Sequence, residues 1–261
     1  MAAAKELSRL AGKTALITGG SRGIGAAVSR RLAADGAAVA INYRSDADAA
    51  DALAKEIIGN GGHAVTFQAD VSDPAKSNAL VDAVVTEFGE LHLLASNAGI
   101  EHFGTLQSIT MADFDRVFHT NVAGQLFVTQ AAVAAMPRGG RIVLTSSISA
   151  RIAVHHHALY GASKAAVNAM VLNLAPELAE AGIAINAIAP GGTATDMAAE
   201  NAKHYTHPAL AHVDQEVVGQ TMNSLGRLAD PEEIASAVAF LLSDDASYLT
   251  GSTLDAAGGW I

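Results

Sequence analysis

Two residues of this chain stand at a spacing that suits proton transfer. Tyr160 and Lys164 close the stretch SISARIAVHHHALYGASK (147–164), and four residues apart on a helix they share one face, one turn from each other. That sets an ammonium beside a phenol. A free tyrosine titrates near ~10, and a neighbouring cation favours the phenolate, so the pair is expected to give or take a proton near neutral pH. Reducing a ketone or oxidising an alcohol needs such a group. The same spacing also fits an ordinary surface helix, so the surroundings have to decide.

Those surroundings alternate between short apolar runs and longer amphipathic ones. TALIT (14–18), AAVAIN (37–42), HAVTFQ (63–68), LHLLAS (91–96), RIVLTS (141–146) and IAINAIA (183–189) read as buried strands, and a seventh is expected near Ser252 to Asp255. Helical stretches separate them. The pattern predicts a doubly wound α/β (Rossmann) fold, a seven-stranded parallel sheet with helices on both faces, joined by right-handed crossovers in a single domain over 1–261. Ligands of such sheets lie beyond the carboxyl ends of the strands.

The residues at those ends carry the candidate chemistry. After the first strand, TGGSRGIG (18–25) places Gly19, Gly23 and Gly25 where a backbone must turn sharply and approach a pyrophosphate resting on a helix N-terminus near Gly23. The glycine spacing departs from G-x-G-x-x-G, so its position between strand and helix counts as much as the pattern. The second strand runs into Tyr43, Arg44 and Ser45. With Arg22 and Arg44 able to face an adenosine ribose, a 2′-phosphate, and hence NADPH in preference to NADH, is expected. Asp46 is the rival acid for a ribose hydroxyl and equally a helix cap.

Asp70 follows the third strand, where it would accept from an adenine amino group or organise the turn, while Asp73 before Pro74 reads as an N-cap. Ser96, Asn97, Ala98 and Gly99 suit a backbone lying close under a cofactor. Asn121 is expected mid-helix, a poor place for asparagine. The fifth strand delivers Ser146 and Ser147; Ser147 lies thirteen positions before Tyr160, within reach of a shared carbonyl oxygen. Pro190, Gly191, Gly192, Thr193, Ala194 and Thr195 form a turn whose amides and hydroxyls suit a nicotinamide carboxamide and phosphate.

Composition narrows the function classes. A net charge of -10, from 16 Lys and Arg against 26 Asp and Glu, argues against nucleic acid or anionic membrane as partner and for a small-molecule substrate. The chain has no cysteine, which excludes disulfides and thiol chemistry and fits a reducing cytoplasm. MAAAKELSRLAGK lacks a signal-peptide core, and no run reaches the ~18 apolar residues of a membrane span. A soluble cytoplasmic protein is expected.

Substrate selection is expected in 151–159 and in a lid over 197–222, which carries His204, Tyr205, His207 and His212. His155, His156 and His157 are adjacent and cannot all face one ion, so no metal is assigned. The apolar finish Gly258-Gly259-Trp260-Ile261 is expected to lie exposed in a monomer, marking a contact surface, unless Trp260 packs on its own domain.

In order and spacing, TGGSRGIG, Asp70, SNAG (96–99), Asn121, Ser147, YGASK (160–164) and PGGTAT (190–195) resemble the short-chain dehydrogenases/reductases over nearly the whole chain, from Leu10 to Ile261. INYRS, LYGASK and APGGTATDM look most like the hydroxynaphthalene and versicolorin reductases among them. The resemblance implies Tyr160 as acid/base, Lys164 lowering its pKa and holding the nicotinamide ribose, Ser147 orienting the carbonyl and Asn121 supporting a water that relays protons to Lys164. The cofactor-binding set it implies is Gly19, Ser21, Arg22, Gly23, Ile24, Gly25, Tyr43, Arg44, Ser45, Asp70, Val71, Asn97, Ala98, Gly99, Tyr160, Lys164, Pro190, Gly191, Thr193 and Thr195. A homotetramer is implied too.

Two positions depart from the family pattern. Ser96 stands where most members have asparagine, and Pro176 falls within a helix that proline should kink or destabilise by ~3 kcal/mol. The function expected is NADPH-dependent reduction of a ketone, cyclic, aromatic or polyketide-like. The alternatives are a 3-oxoacyl-carrier-protein reductase and a non-catalytic NADP-binding redox sensor.

Overall fold

A computed structural model describes residues 9–210, 212–214, 217 and 221–260. The start of the N-terminal segment, Ile261 and residues 211, 215, 216 and 218–220 of the expected lid lie outside the described residues.

Seven strands form one parallel sheet: β1 (Thr14–Thr18), β2 (Ala38–Tyr43), β3 (His63–Gln68), β4 (Leu93–Ser96), β5 (Arg141–Thr145), β6 (Ala184–Pro190) and β7 (Thr253–Ala256), in the order β3-β2-β1-β4-β5-β6-β7. Strand order reverses between β1 and β4, so the tips of these two neighbours open a crevice where the helices following them leave on opposite faces. All seven expected strands are present within two residues of the expected bounds.

Helices cover both faces. On one side lie α1 (Gly23–Ala34) and α2 (Ala47–Gly59); on the other, α3 (Pro74–Phe88). Next come α4 (Met111–Phe118) and α5 (Gly124–Ala135), joined by a π-turn at His119–Ala123, then α6 (Ala158–Glu180), α7 (Asp196–Tyr205) and α8 (Pro231–Leu242). Strand residues alternate between two cores. Ile17, Leu93 and Ala95 pack with Val28, Leu32, Leu53 and Val238 of α1, α2 and α8. Leu16 and Leu94 pack with Leu80, Val128 and Val167 of α3, α5 and α6. A sheet covered on both faces needs strands apolar throughout, as TALIT is.

Local chemistry sets the helix starts. Asp46 caps α2, its carboxylate accepting from Ala49 N at 3.0 Å, and Asp73 caps α3, accepting from Ala75 N at 3.0 Å ahead of Pro74. Asp46 therefore acts as a cap on the described contacts. Pro176 does not break α6, which runs on to Glu180. It sits on the exposed side, where water can take the place of its missing N–H. No described helix is long and apolar enough to cross a membrane.

Candidate active site

The turn after β1 is built from glycine because nothing else fits. Gly19 and Gly23 have φ of +59° and +51°, and a Cβ on Gly25 would stand 2.1 Å from the Gly19 carbonyl oxygen. Buried Asn42 holds this turn across three strands. Its Oδ1 accepts from Gly19 N at 3.3 Å, while its Nδ2 donates to Phe67 O and Ala69 O at 3.2 and 3.1 Å. Thr18 locks β4 alongside, its hydroxyl accepting from Asn97 N at 3.0 Å and Ala98 N at 3.1 Å.

The turn opens a cleft of about 860 Å³ along the strand tips. At one end stand Arg22, Tyr43, Arg44, Ser45, Asp70 and Val71; at the other, Ser147, Tyr160, Lys164, Glu101 and Tyr205. Ser21, Ile24, Asn97, Ala98, Gly99, Pro190, Gly191, Thr193 and Thr195 line the span between. Gly25 is buried beneath the turn. Arg22 and Arg44 are exposed, and neither guanidinium forms an ion pair among the described residues. Burial works to raise the Asp70 carboxyl, but hydrogen bonds from the Ser72 hydroxyl and amide, with Arg44 and Lys76 nearby, hold it below its ordinary value. Thr195 caps α7 through Ala198 N at 3.2 Å, and a Cβ on Gly23 would stand 3.3 Å from its methyl group.

Ser147, Tyr160, Lys164 and Asn121 come together at the far end. Tyr160 shares a hydrogen bond with Ser147. The Lys164 ammonium donates to Thr145 O at 2.8 Å and lies 5.5 Å from the centre of the Tyr160 ring. Ser146 fastens the helix carrying both, its hydroxyl donating to Lys164 O at 3.0 Å. Asn121 is fully buried in the π-turn rather than mid-α-helix, an irregularity frequent at functional sites. Its carboxamide accepts from Ile100 N at 2.9 Å and donates to Ile100 O at 2.9 Å and Ser163 Oγ at 3.0 Å, bracing the loop after β4 against α6. Asn121 Oδ1 and Lys164 Nζ both border Gly99, where a Cβ would stand 3.3 and 3.4 Å from them.

The electrostatics correct one expectation. Burial pushes the Tyr160 phenol above its ordinary value, Glu101 adds to the rise, and the hydrogen bond with Ser147 only partly offsets it. Proximity to Lys164 does not make the phenol acidic, because burial of the phenol itself and the Glu101 charge prevail. Burial brings the Lys164 ammonium down to about 8, with the Glu101 charge working in the opposite direction.

The sequence marked Tyr205 and His157 only as parts of the substrate-selecting stretches, and Glu101 not at all. Glu101 follows the SNAG turn and accepts the hydroxyl of Tyr205 from α7. His157, 2% exposed, stacks on Tyr160 with ring centres 4.5 Å apart and on Phe103 at 4.2 Å. Burial, with the His102 charge nearby, lowers it to about 4, so it is neutral at pH 7. Among the described residues no three His, Asp or Glu side chains are placed to hold a metal ion. Trp260 is half-buried, pairs with Asn223 and lines the cleft, so it packs on its own domain, against the exposed terminus expected of a monomer.

A family model described as Enoyl-(Acyl carrier protein) reductase matches residues 19–261. The versicolorin reductase stcU of Emericella nidulans is 40% identical, with 96% of each chain covered. A short-chain dehydrogenase from Burkholderia cenocepacia, solved in complex with NADP, superposes with a TM-score of 0.87 at 39% identity over 97% of this chain and 99% of that one. The angucycline C-6 ketoreductase LanV, solved with bound NADP, gives 0.87 at 36% identity over 97% and 96%. With its glycine turn, parallel sheet and Ser147, Tyr160 and Lys164 cluster, the chain belongs to the short-chain dehydrogenase/reductase family.

Proposed function

We propose that the protein is an NADPH-dependent carbonyl reductase. The observation that carries this reading is the convergence of the Ser147 and Tyr160 hydroxyls beside a buried lysine at the end of the cleft. Two hydroxyl donors suit one carbonyl oxygen with its two lone pairs. A carbon–carbon double bond has no such acceptor, so a ketone is the better substrate for this pair than an alkene. The relatives named as versicolorin reductase and angucycline ketoreductase support the same choice.

The cleft fits a dinucleotide phosphate. Gly19, Ser21, Gly23, Ile24 and Gly25 would hold the pyrophosphate at the N-terminus of α1. Arg22, Tyr43, Arg44 and Ser45 would hold the 2′-phosphate, Asp70 and Val71 the adenine, and Asn97, Ala98 and Gly99 the underside. Tyr160 and Lys164 would hold the nicotinamide ribose, and Pro190, Gly191, Thr193 and Thr195 the nicotinamide end. When bound, NADPH supplies the hydride.

The residues supply position and the proton. Ser147 donates to the substrate oxygen and fixes its place. Tyr160, kept protonated by its raised pKa, gives its proton to the oxygen; an alkoxide is a much stronger base than a phenolate, so the transfer runs downhill. Asn121 fixes the space beside the Lys164 ammonium where a relaying water would stand. The described residues of 197–222, which bring Met197, Ala198, Ala202 and Tyr205 to the cleft, would form the lid, and the enzyme works in the cytoplasm as a homotetramer. Exposed Met111, Phe114 and Leu172 on α4 and α6 support a contact face, to be checked by solution mass.

A panel of ketones with NADPH oxidation as readout tests the reading, and its pH profile adds a sign. Lys164 is charged below about 8 and loses its proton above it. The rate of ketone reduction is therefore expected to hold through neutral pH and to fall as pH rises past that value. A rate that climbs from pH 8 to 10 contradicts the role given to the ammonium.

A further inference from the structure

The reduction proposed above leaves the second carboxylate oxygen of Glu101 unexplained. Glu101 lines the cleft with Tyr160, Lys164 and Tyr205. Its Oε1 accepts the Tyr205 hydroxyl, whereas its Oε2 is buried and meets no donor among the described residues. A buried acceptor left unsatisfied costs about 1–3 kcal/mol, more if charged, and such a group calls for an explanation.

The surrounding wall does not provide the missing donor. His157 stacks on Tyr160, Phe103 on His157 at 4.2 Å, and His204 on Phe103 at 5.0 Å. Both His157 ring nitrogens are likewise buried without a partner among the described residues, so His157 does not donate to Oε2. The Lys164 ammonium is directed to Thr145 O. Oε2 thus has no donor among the described residues, while Glu101 lines the same cleft as Ser147 and Tyr160.

We propose that Glu101 is a specificity-determining residue, its Oε2 accepting a hydrogen bond from a hydroxyl group that the substrate carries beside its ketone. The preferred substrates are then hydroxyketones, with the carbonyl on Ser147 and Tyr160 and the hydroxyl on Glu101. This rests on the carbonyl-reductase reading. A site built around a substrate hydroxyl discriminates against the analogue lacking it, because its own buried acceptor is then left bare.

The test compares cyclohexanone with 2-hydroxycyclohexanone in the wild type and in Glu101→Leu, Glu101→Gln and Tyr205→Phe, each checked for its melting transition. The wild type is expected to favour the hydroxyketone in kcat/KM by at least about tenfold, chiefly through KM. In Glu101→Leu that ratio should fall to about one. Glu101→Gln keeps an acceptor and part of the preference, and Tyr205→Phe, which leaves Oε2 in place, keeps most of it. A wild-type ratio near one with both ketones turned over, or an unchanged ratio in the leucine variant, overturns the assignment and leaves the reductase reading intact. If wild-type enzyme oxidises NADPH with no ketone of any kind, both fall.

Discussion

Replacing Tyr160 by phenylalanine is expected to lower kcat for ketone reduction by about 10²–10⁴-fold, the range that a positioned acid contributes, with the fold intact. The substitution removes one hydroxyl and its hydrogen bond with Ser147. It keeps the ring that stacks on His157 at an interplanar angle of 12°, and it leaves the contacts of Lys164 with Thr145 untouched. The stability change should therefore stay within about 1 kcal/mol, the net worth of a typical hydrogen bond. NADPH affinity, measured by fluorescence titration, should change only a few-fold. A variant that kept most of its ketone reduction would show that the proton comes from elsewhere, and Ser147 would be the next group to examine.

That expected loss does not depend on an acidic tyrosine. The phenol lies in a site where burial and Glu101 both favour its neutral form. Such a phenol stays protonated at neutral pH, as a group that is to give its proton to a ketone oxygen must. The lysine shares the cost of the same desolvation, which places its titration near 8, close enough to physiological pH to exchange protons with solvent. One buried environment thus separates the two groups into a donor that holds its proton and a neighbour that can turn its own over.

How much of this was legible in the sequence depends on the range of the interactions. The central strands could be read because they are apolar on both faces, and the glycine turn because Gly19, Gly23 and Gly25 answer a local backbone demand. Asp46 and Asp73 declared their caps through the residues that follow them. By contrast, Asn121 looked merely misplaced in a helix, since a π-turn has no compositional mark and its partners are Ile100 and Ser163, far along the chain. Glu101 and Tyr205 meet across 104 positions, and only the fold brings them together. His157 resembled its two neighbours in the histidine run until stacking on Tyr160 and Phe103 set it apart. The direction of the Tyr160 shift was missed for a related reason, because spacing shows a nearby charge and does not show the loss of water.

The cofactor preference is the second large effect, and it is set at the opposite end of the cleft. β2 ends at Tyr43 with Arg44 next in the chain, and the nearest acid, Asp46, accepts from Ala49 N in its capping role. No carboxylate at the strand tip is thus assigned to a ribose 2′-hydroxyl, while two guanidiniums without ion-pair partners among the described residues line the same end. A charge-assisted contact to phosphate is worth about 1.5–3 kcal/mol, but both arginines are exposed, so screening reduces each to about tenfold in affinity. Together they predict a preference for NADPH over NADH of about 100-fold in kcat/KM. Changing Arg22 and Arg44 to leucine should remove most of it by raising KM for NADPH, with little change for NADH. The wild-type KM for NADPH should also rise with salt concentration more steeply than that for NADH. Equal kcat/KM for the two cofactors in the wild type, or a double variant that loses both alike, would mean that these arginines do not read the 2′-phosphate.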